Sequence, residues 1–292
     1  MQSTQGEPSA GPTRRKGRLY LVATPIGNLE DITVRALRLL GEVDLIACED
    51  TRHTAKLLHH YGIDKPTLSY HEHNEASRAA QLVQRLEGGA KVALVSDAGM
   101  PVISDPGHRL ISLCLEKQIP VIPVPGPSAA TAALAASGLP AGEFLFVGFL
   151  PSRATARRKM LESLAKEDRT LVLYEAPHRL VETLSDALES LGRRRAVVAR
   201  EMTKIHEEFL RGDLAELLVR VRQQPVRGEI TLVIAPPSPG EEKTHEICVA
   251  PLRERVEQIM REQQLDRKAA LKLAARERGL TKREAYKELL GA

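Results

Sequence analysis

The sequence has no tryptophan and few aromatics of any kind: five Tyr and four Phe in 292 residues. That scarcity argues against a nucleic-acid platform built of successive stacked rings. Cysteine is almost as rare. Cys48, Cys114 and Cys248 lie far apart with no CxxC, which excludes a disulfide frame and suits reduced thiols in a cytoplasmic protein. No apolar run approaches the roughly 20 residues of a membrane span. The opening "MQSTQGEPSAGPTRRKG" lacks the apolar core of a signal peptide, so residues 1–17 read as a disordered lead-in. Two nucleotide motifs are also missing. There is no GxxxxGK[ST] of a P-loop, and no GxGxxG follows the first strand candidate. "ATPIGNLED" stands there instead, with a proline and a single glycine. A nicotinamide or flavin enzyme is therefore disfavoured.

What is present is an ordinary α/β composition, 42% hydrophobic and 27% charged, with an uneven charge. Residues 251–292 hold 11 Lys and Arg against 7 Asp and Glu, so the whole formal excess of +4 falls there and the first 250 residues are formally neutral. Such concentration suits either a polyanionic partner or a solvated helical face. Apolar runs alternate with helical patterns from residue 18 to about 125, predicting a parallel sheet covered on both faces. In this stretch the pattern predicts a helix over 31–40, with Asp31 near its start and Gly41 after its end, and a second over 75–87. Residues 126–237 read as a second α/β unit richer in adjacent, antiparallel strands, with a basic helix at 154–166. The Pro236–Gly240 run opens a linker over 238–250. Beyond it, 251–292 reads as a basic helical extension with a helix-turn-helix outline about Gly279, for which an ordinary helical hairpin is the alternative.

The chemistry is expected in Gly/Pro loops at strand ends: 24–28, 96–101, 104–107 and 125–128. "KVALVSDAGMPVISDPG" carries two of them. Small residues let backbone groups approach a ligand closely, and the few polar side chains include Ser96, Asp97, Ser104, Asp105 and Ser128. That pattern suits a ligand held by main-chain hydrogen bonds around an apolar body, such as a nucleoside bearing a sulfonium.

"YLVATPIGNLEDITVRALRLLGEVDLIACEDTR", "VALVSDAGMPVISDPG" and "VIPVPGPSAATAALAASGLP" together resemble the tetrapyrrole methylase superfamily, the class III S-adenosylmethionine methyltransferases. "CEDTRHTAKLL", "YHEHNE", "YEAPHR" and "AREMTKIHEE" resemble, within it, the enzymes that methylate small-subunit ribosomal RNA. The resemblance runs from about Leu19 to Pro237. It implies a two-domain α/β fold, a cofactor cleft between the domains, a homodimer, and S-adenosylmethionine as cofactor. Carried over by motif, the cofactor contacts are Ser96, Asp97, Ala98, Met100 and Val102, then Ser128 and Ala129, with Pro25 from a first loop that has less glycine than the family's usual pattern. The implied reaction is methylation of a ribose 2′-hydroxyl on a decoding-site cytidine of 16S rRNA, with rRNA or the assembled small subunit as partner and no membrane.

A ribose hydroxyl is a poor nucleophile while protonated, so a base or a stabilising cation is expected. Asp50, His178, Glu201 and Lys204 are the candidates, each with a structural ion pair as its alternative because Arg52, Arg179 and Arg200 stand close by in sequence. Arg153, Arg157, Arg158 and Lys159 suit a phosphate-contacting lip, and Arg276, Lys282 and Arg283 flank the turn where the extension would meet RNA. No metal is expected, since the two His of "HEH" do not make a site. A small-molecule methylase of the same fold and a non-catalytic RNA-binding protein remain the alternative readings.

Overall fold

The computed structural model describes residues 16–237, 252–263, 266–277 and Ala285. The chain divides between Pro236 and Pro237 into two compact units. The predicted lead-in and the linker over 238–250 fall almost wholly outside the described residues.

In the first unit, β1 (Arg18–Val22), β2 (Leu45–Cys48), β3 (Thr67–Ser69), β4 (Lys91–Val95) and β5 (Val121–Val124) form one sheet in the order β3-β2-β4-β1-β5. Every pairing in it is parallel. The period of two along each strand sorts the side chains to two buried faces. Tyr20, Val22, Ile46, Cys48, Ala93 and Val95 pack on α1 (Val34–Glu42) and α2 (Thr51–His60). Leu19, Leu45, Ala47, Val92 and Leu94 pack on α3 (Glu75–Glu87) and α4 (His108–Glu116). Helices thus cover both faces.

Helix α1 departs from its sequence pattern. Residues 29–31 form a short 3-10 turn, Thr33 accepts the Ala36 N–H as N-cap, and the helix runs through Gly41 to Glu42. A helical glycine costs only about 1 kcal/mol relative to Ala, and the burial of Leu39 and Leu40 on the sheet outweighs it.

The second sheet has the order β6-β7-β10-β8-β9, built from β6 (Phe144–Phe149), β7 (Thr170–Glu175), β8 (Arg195–Arg200), β9 (Glu208–Asp213) and β10 (Ile230–Ile234). Only β6 and β7 pair in parallel; the other neighbours are antiparallel. One face, with Leu171, Leu173, Val198 and Leu232, is covered by α6 (Ala154–Ser163), α7 (Leu180–Leu191) and α8 (Leu214–Gln223). The other, with Val172, Val197, Ala199 and Val233, packs on the alanine-rich α5 (Ala129–Ser137) and on Ile26 and Met202. Ile26 belongs to the loop after β1, so this core joins the first sheet's loops to the second sheet.

The second unit contains α9 (Leu252–Gln263) and α10 (Arg267–Glu277), packed through Leu252, Val256, Ile259, Ala270, Leu271 and Ala274. Asp266 caps α10 by accepting the Ala269 N–H at 2.7 Å. The Gly279 turn on which the helix-turn-helix outline rests lies outside the described residues.

Candidate active site

The loop after β4 is stitched to the loop after β1. Thr24 and Gly99 exchange two backbone hydrogen bonds of 2.9 and 3.0 Å. The Thr24 hydroxyl donates to the Ser96 carbonyl, and the buried Ser96 hydroxyl donates to the Gly99 carbonyl at 3.0 Å. Gly99 takes φ +83, a conformation glycine adopts without strain. Further along, Val102 and Ser104 have φ of 78 and 67, uncommon for any non-glycine and most costly for a β-branched one. Glu75 fixes the far end of this segment. One of its carboxylate oxygens accepts the Tyr70 hydroxyl at 2.9 Å, the Gly107 N–H at 3.2 Å and the Arg109 N–H at 3.4 Å. A carboxylate at the start of α4 satisfies orphan N–H groups and complements the helix dipole. "YHEHNE" therefore works as a brace for the Ser-Asp-Pro-Gly turn at 104–107.

The opposite wall comes from the ends of the second sheet. Glu201 (φ 48) and Thr203 (φ 66) hold left-handed conformations in the turn after β8. The Glu201 carboxylate accepts from Lys204 Nζ at 2.9 Å and from the Glu229 N–H at 3.0 Å, while Lys204 also donates to Glu229 at 3.0 Å. The Lys204 hydrogen bond holds the Glu201 carboxyl below its ordinary value. For Lys204, burial acts against the charge, but hydrogen bonds to Glu201 and Glu229 outweigh it and raise its pKa. Two glycines permit this packing. A Cβ on Gly27 would stand 2.5 Å from Lys204 Cγ, and one on Gly228 would overlap the Glu201 carboxyl group. The Asn28 N–H donates to the Thr203 hydroxyl at 3.0 Å, so "TPIGN" docks on the "EMTK" turn.

Between these walls lies a cleft of about 630 Å³, within the range of small-molecule sites. From the first sheet's side it is lined by Ile26, Asp97–Met100, Ile103–Asp105, Ser128 and Ala129; from the second by Phe149, Tyr174–Pro177, Glu201, Met202, Lys204 and 228–231. Asp105 is the lining group whose protonation is most displaced toward neutrality. Burial, with the Glu49 carboxylate second, pushes it up to about 6, against a hydrogen bond from Ser96.

Of the predicted cofactor residues, Asp97, Ala98, Met100, Ser128 and Ala129 line this cleft, and so do Glu201 and Lys204 from the catalytic set. Ser96 sits behind the wall, where it ties the loop together. Pro25 is not a lining residue; its neighbour Ile26 is. Val102 turns into the core under the first sheet, where a Cβ on Gly107 would meet its Cγ2 at 2.7 Å. Asp50 caps α2 through the Arg52 N–H and donates its own N–H to Asp97 at 3.2 Å, so it bears on Asp97 from outside the lining. His178 is exposed on the turn 177–179 and is not in the lining either. Its motif neighbours are structural. Buried Glu175 accepts from Thr183 and the Ala176 N–H, and Arg179 donates to the Leu150 carbonyl at 2.7 Å.

The basic lip needs one correction. Arg157 is 2% exposed, bonded to Asp186 at 2.7 Å and to the Ser152 carbonyl at 3.3 Å. Its guanidinium is committed inside the fold and presents nothing to a phosphate. Arg158 shares the same carboxylate but stays part exposed, and Arg153 and Lys159 are exposed. Arg276 lies in α10 with no described side chain; Lys282 and Arg283 fall outside the described residues. His71 and His73 stand with ring centroids 5.9 Å apart, and His71 Nε2 lies 3.1 Å from Asn74 Nδ2. Among the described residues no group of three or more His, Cys, Asp or Glu is placed to hold a metal. Sequence reasoning missed Phe149, Tyr174, Ile103 and Glu229 in the lining. It noted Asp105 only as a polar loop residue, although its place in Ser104–Gly107, which echoes the Ser-Asp-x-Gly of 96–99, was the available signal.

A two-sheet α/β unit with a cleft of small residues at its strand ends defines a methylase class: residues 18–218 match the family model described as tetrapyrrole (corrin/porphyrin) methylases. Solved structures share this fold. A uroporphyrin-III C-methyl transferase from Thermus thermophilus, complexed with S-adenosyl homocysteine, aligns with TM-score 0.53 and 23% identity over 75% of this chain and 97% of that one. A diphthine synthase aligns with TM-score 0.56 and 18% identity over 75% and 90%. Much nearer in sequence is the ribosomal RNA small subunit methyltransferase I of Synechocystis, 48% identical over 92% of this chain and 96% of its own. Proteins of the same name from Thermotoga maritima and Bacillus subtilis are 53% identical (75% of this chain, 98% of theirs) and 45% identical (92% and 93%). The chain belongs to the tetrapyrrole methylase family, and within it to the ribosomal RNA small subunit methyltransferase I group.

Proposed function

We propose that this chain transfers the methyl group of S-adenosylmethionine to small-subunit rRNA, and that the acceptor is the ribose 2′-hydroxyl of a decoding-site cytidine. Family membership supports the coarser activity, an rRNA methyltransferase dependent on S-adenosylmethionine; the resemblance of "CEDTR", "YEAPHR" and "REMTK" motivates the finer one. The single observation that carries the reading is the cleft itself. Ala98, Gly99 and Ala129 line it with small residues, and Gly99, held at φ +83 by its two backbone hydrogen bonds to Thr24, leaves that wall without a side chain. Such a wall fits a nucleoside held through main-chain groups, with Asp97 and Ser128 as the polar contacts.

The bound cofactor supplies an electrophilic methyl carbon on a sulfonium. The chain must align a hydroxyl with that carbon and manage one proton. Alignment of two bound reactants removes much of an entropic barrier. As the new C–O bond forms and the C–S bond breaks, the hydroxyl proton must leave. Asp105, in the cleft with its pKa near 6, accepts it, because a carboxylate raised toward neutrality is a better base than an ordinary one. Glu201 is the poorer base, since Lys204 holds its negative charge in place. Lys204 remains charged and stabilises the developing alkoxide. Arg153, Arg158 and Lys159 serve as phosphate contacts that fix register without reading sequence, and Arg276, Lys282 and Arg283 add sequence-independent affinity. The homodimer and the cytoplasmic location belong to the same proposal.

The test is transfer of labelled methyl from S-adenosylmethionine to purified small subunits, to naked small-subunit rRNA and to porphyrinogen substrates. Label in rRNA alone is expected. Label in the porphyrinogen alone returns the chain to small-molecule chemistry, and no label in either, with cofactor bound, returns it to RNA binding without catalysis.

A further inference from the structure

Three of the chain's nine Phe and Tyr residues stand together, two of them, Phe149 and Tyr174, in the cleft lining and Phe146 packed against the core behind it. Phe146 and Phe149 flank Tyr174 with ring centroids 5.1 and 5.6 Å away. Phe149 owes its place to a backbone irregularity. In the β6–β7 pairing Phe146 faces Val172, but Gly148 and Phe149 face Leu173 and Tyr174, so Val147 is an extra residue. Strict alternation would put Phe149 on the sheet face opposite Phe146; the bulge returns it to the same face. Gly148 takes φ +71, and a Cβ there would lie 3.0 Å from the Ser104 hydroxyl. The bulge thus also seats the turn that carries Ile103 and Asp105.

The result is an uncovered apolar pair. Phe149 is 54% exposed and Ile103 45% exposed, and both line the cleft. A sequence this poor in aromatics buries most large apolar side chains, and here it bends a strand to hold a ring half in water. An unstacked nucleobase is a ligand whose flat apolar face matches the exposed part of such a ring, and single-stranded RNA is read in this way.

We propose that Phe149, with Ile103 of the neighbouring turn, is the platform on which the base of the nucleotide being methylated stacks. The proposal rests on the rRNA methyltransferase reading. It goes beyond it by assigning the residue that positions the target nucleotide relative to Asp105 and Lys204. An adenine ring of the cofactor has the same stacking chemistry. The RNA base is favoured because a group delivered from a macromolecule enters at the exposed rim, while the buried Gly99 and the half-buried Ala129 form the wall suited to the cofactor.

The experiment compares wild type, Phe149→Ala and Phe149→Tyr as full-length protein. Steady-state methyl transfer to purified small subunits gives KM and kcat, and calorimetry gives the affinity for S-adenosylmethionine. Loss of one base stack predicts a KM for subunits raised roughly 5- to 150-fold in Phe149→Ala, cofactor affinity unchanged within about twofold, and recovery to near wild type in Phe149→Tyr. An unchanged KM in Phe149→Ala overturns the platform. So does a parallel loss of cofactor affinity, which would assign the ring to adenine. If wild type itself labels no rRNA, the functional reading fails, an outcome separate from either of these.

Discussion

Gly228→Ala perturbs the second wall at one methyl group. Gly228 has φ +86, and its missing Cβ leaves the space that the Glu201 carboxyl occupies. The left-handed conformation costs an alanine roughly 1–2 kcal/mol. Displacing the carboxylate from Lys204 and the Glu229 N–H, both at 3.0 Å or less, costs about 1.5–3 kcal/mol for a charged hydrogen bond. The stiffer unfolded chain returns roughly 0.4–1 kcal/mol. The net destabilisation is about 2–4 kcal/mol, which for a unit of this size lowers Tm by roughly 4–16 °C. Methyl transfer should fall further than stability accounts for, because Lys204 loses the carboxylate that holds it in the cleft. Thermal melts of Gly228→Ala, Glu201→Ala and the double variant test the cause. Without the Glu201 side chain the added methyl has room, so in that background the glycine substitution should cost only the backbone part, about 1–2 kcal/mol. Strict additivity of the two substitutions would refute the steric argument.

Further outcomes follow from other parts of the site. Asp105→Asn should lower kcat about 10²- to 10⁴-fold with cofactor affinity retained, and wild-type kcat should rise with pH through about 6 and then level. The same substitution should stabilise the protein at pH 8 and lose that effect as pH falls below about 6. The folded carboxyl binds its proton more tightly than the unfolded one, so wild-type stability drops as pH rises through that window; a flat difference in Tm across pH would contradict it. Asp97→Ala and Gly99→Val should each weaken S-adenosylmethionine binding in calorimetry, and wild-type affinity in both would move the cofactor elsewhere. Arg157→Ala should destabilise by about 1.5–3 kcal/mol by removing a buried charged hydrogen bond and leaving Asp186 with only the part-exposed Arg158, while Lys159→Ala should leave Tm unchanged and reduce the salt dependence of RNA binding.

Where local pattern decided the outcome, the sequence was readable. The apolar run Val92–Val95 ahead of Ser-Asp-Ala-Gly lies in β4, with the cleft loop after it, and the helix over 75–87 has the bounds its periodicity predicts. Glycine misled at position 41, where burial of Leu39 and Leu40 carries α1 past a residue that usually ends a helix. Charged residues were the hardest to place. Arg157 sits in a basic run that reads as surface, and only the distant Asp186 on α7 takes it inside. Phe149 was invisible for a related reason: one bulged residue reverses which face a strand side chain occupies, and no spacing rule reveals a bulge. Asp105 needed its three-dimensional burial, and after that the neighbouring Glu49 carboxylate, before its protonation stood apart from that of other loop carboxylates.

The central claim is that the cleft methylates one ribose of small-subunit rRNA. Mass mapping of small-subunit rRNA from cells with and without the gene tests it most directly. The account predicts a single 2′-O-methyl mark on a decoding-site cytidine that disappears on deletion and returns with the wild-type gene but not with Asp105→Asn. An unchanged methylation map after deletion, or a lost methyl that sat on a base carbon or nitrogen, would contradict it.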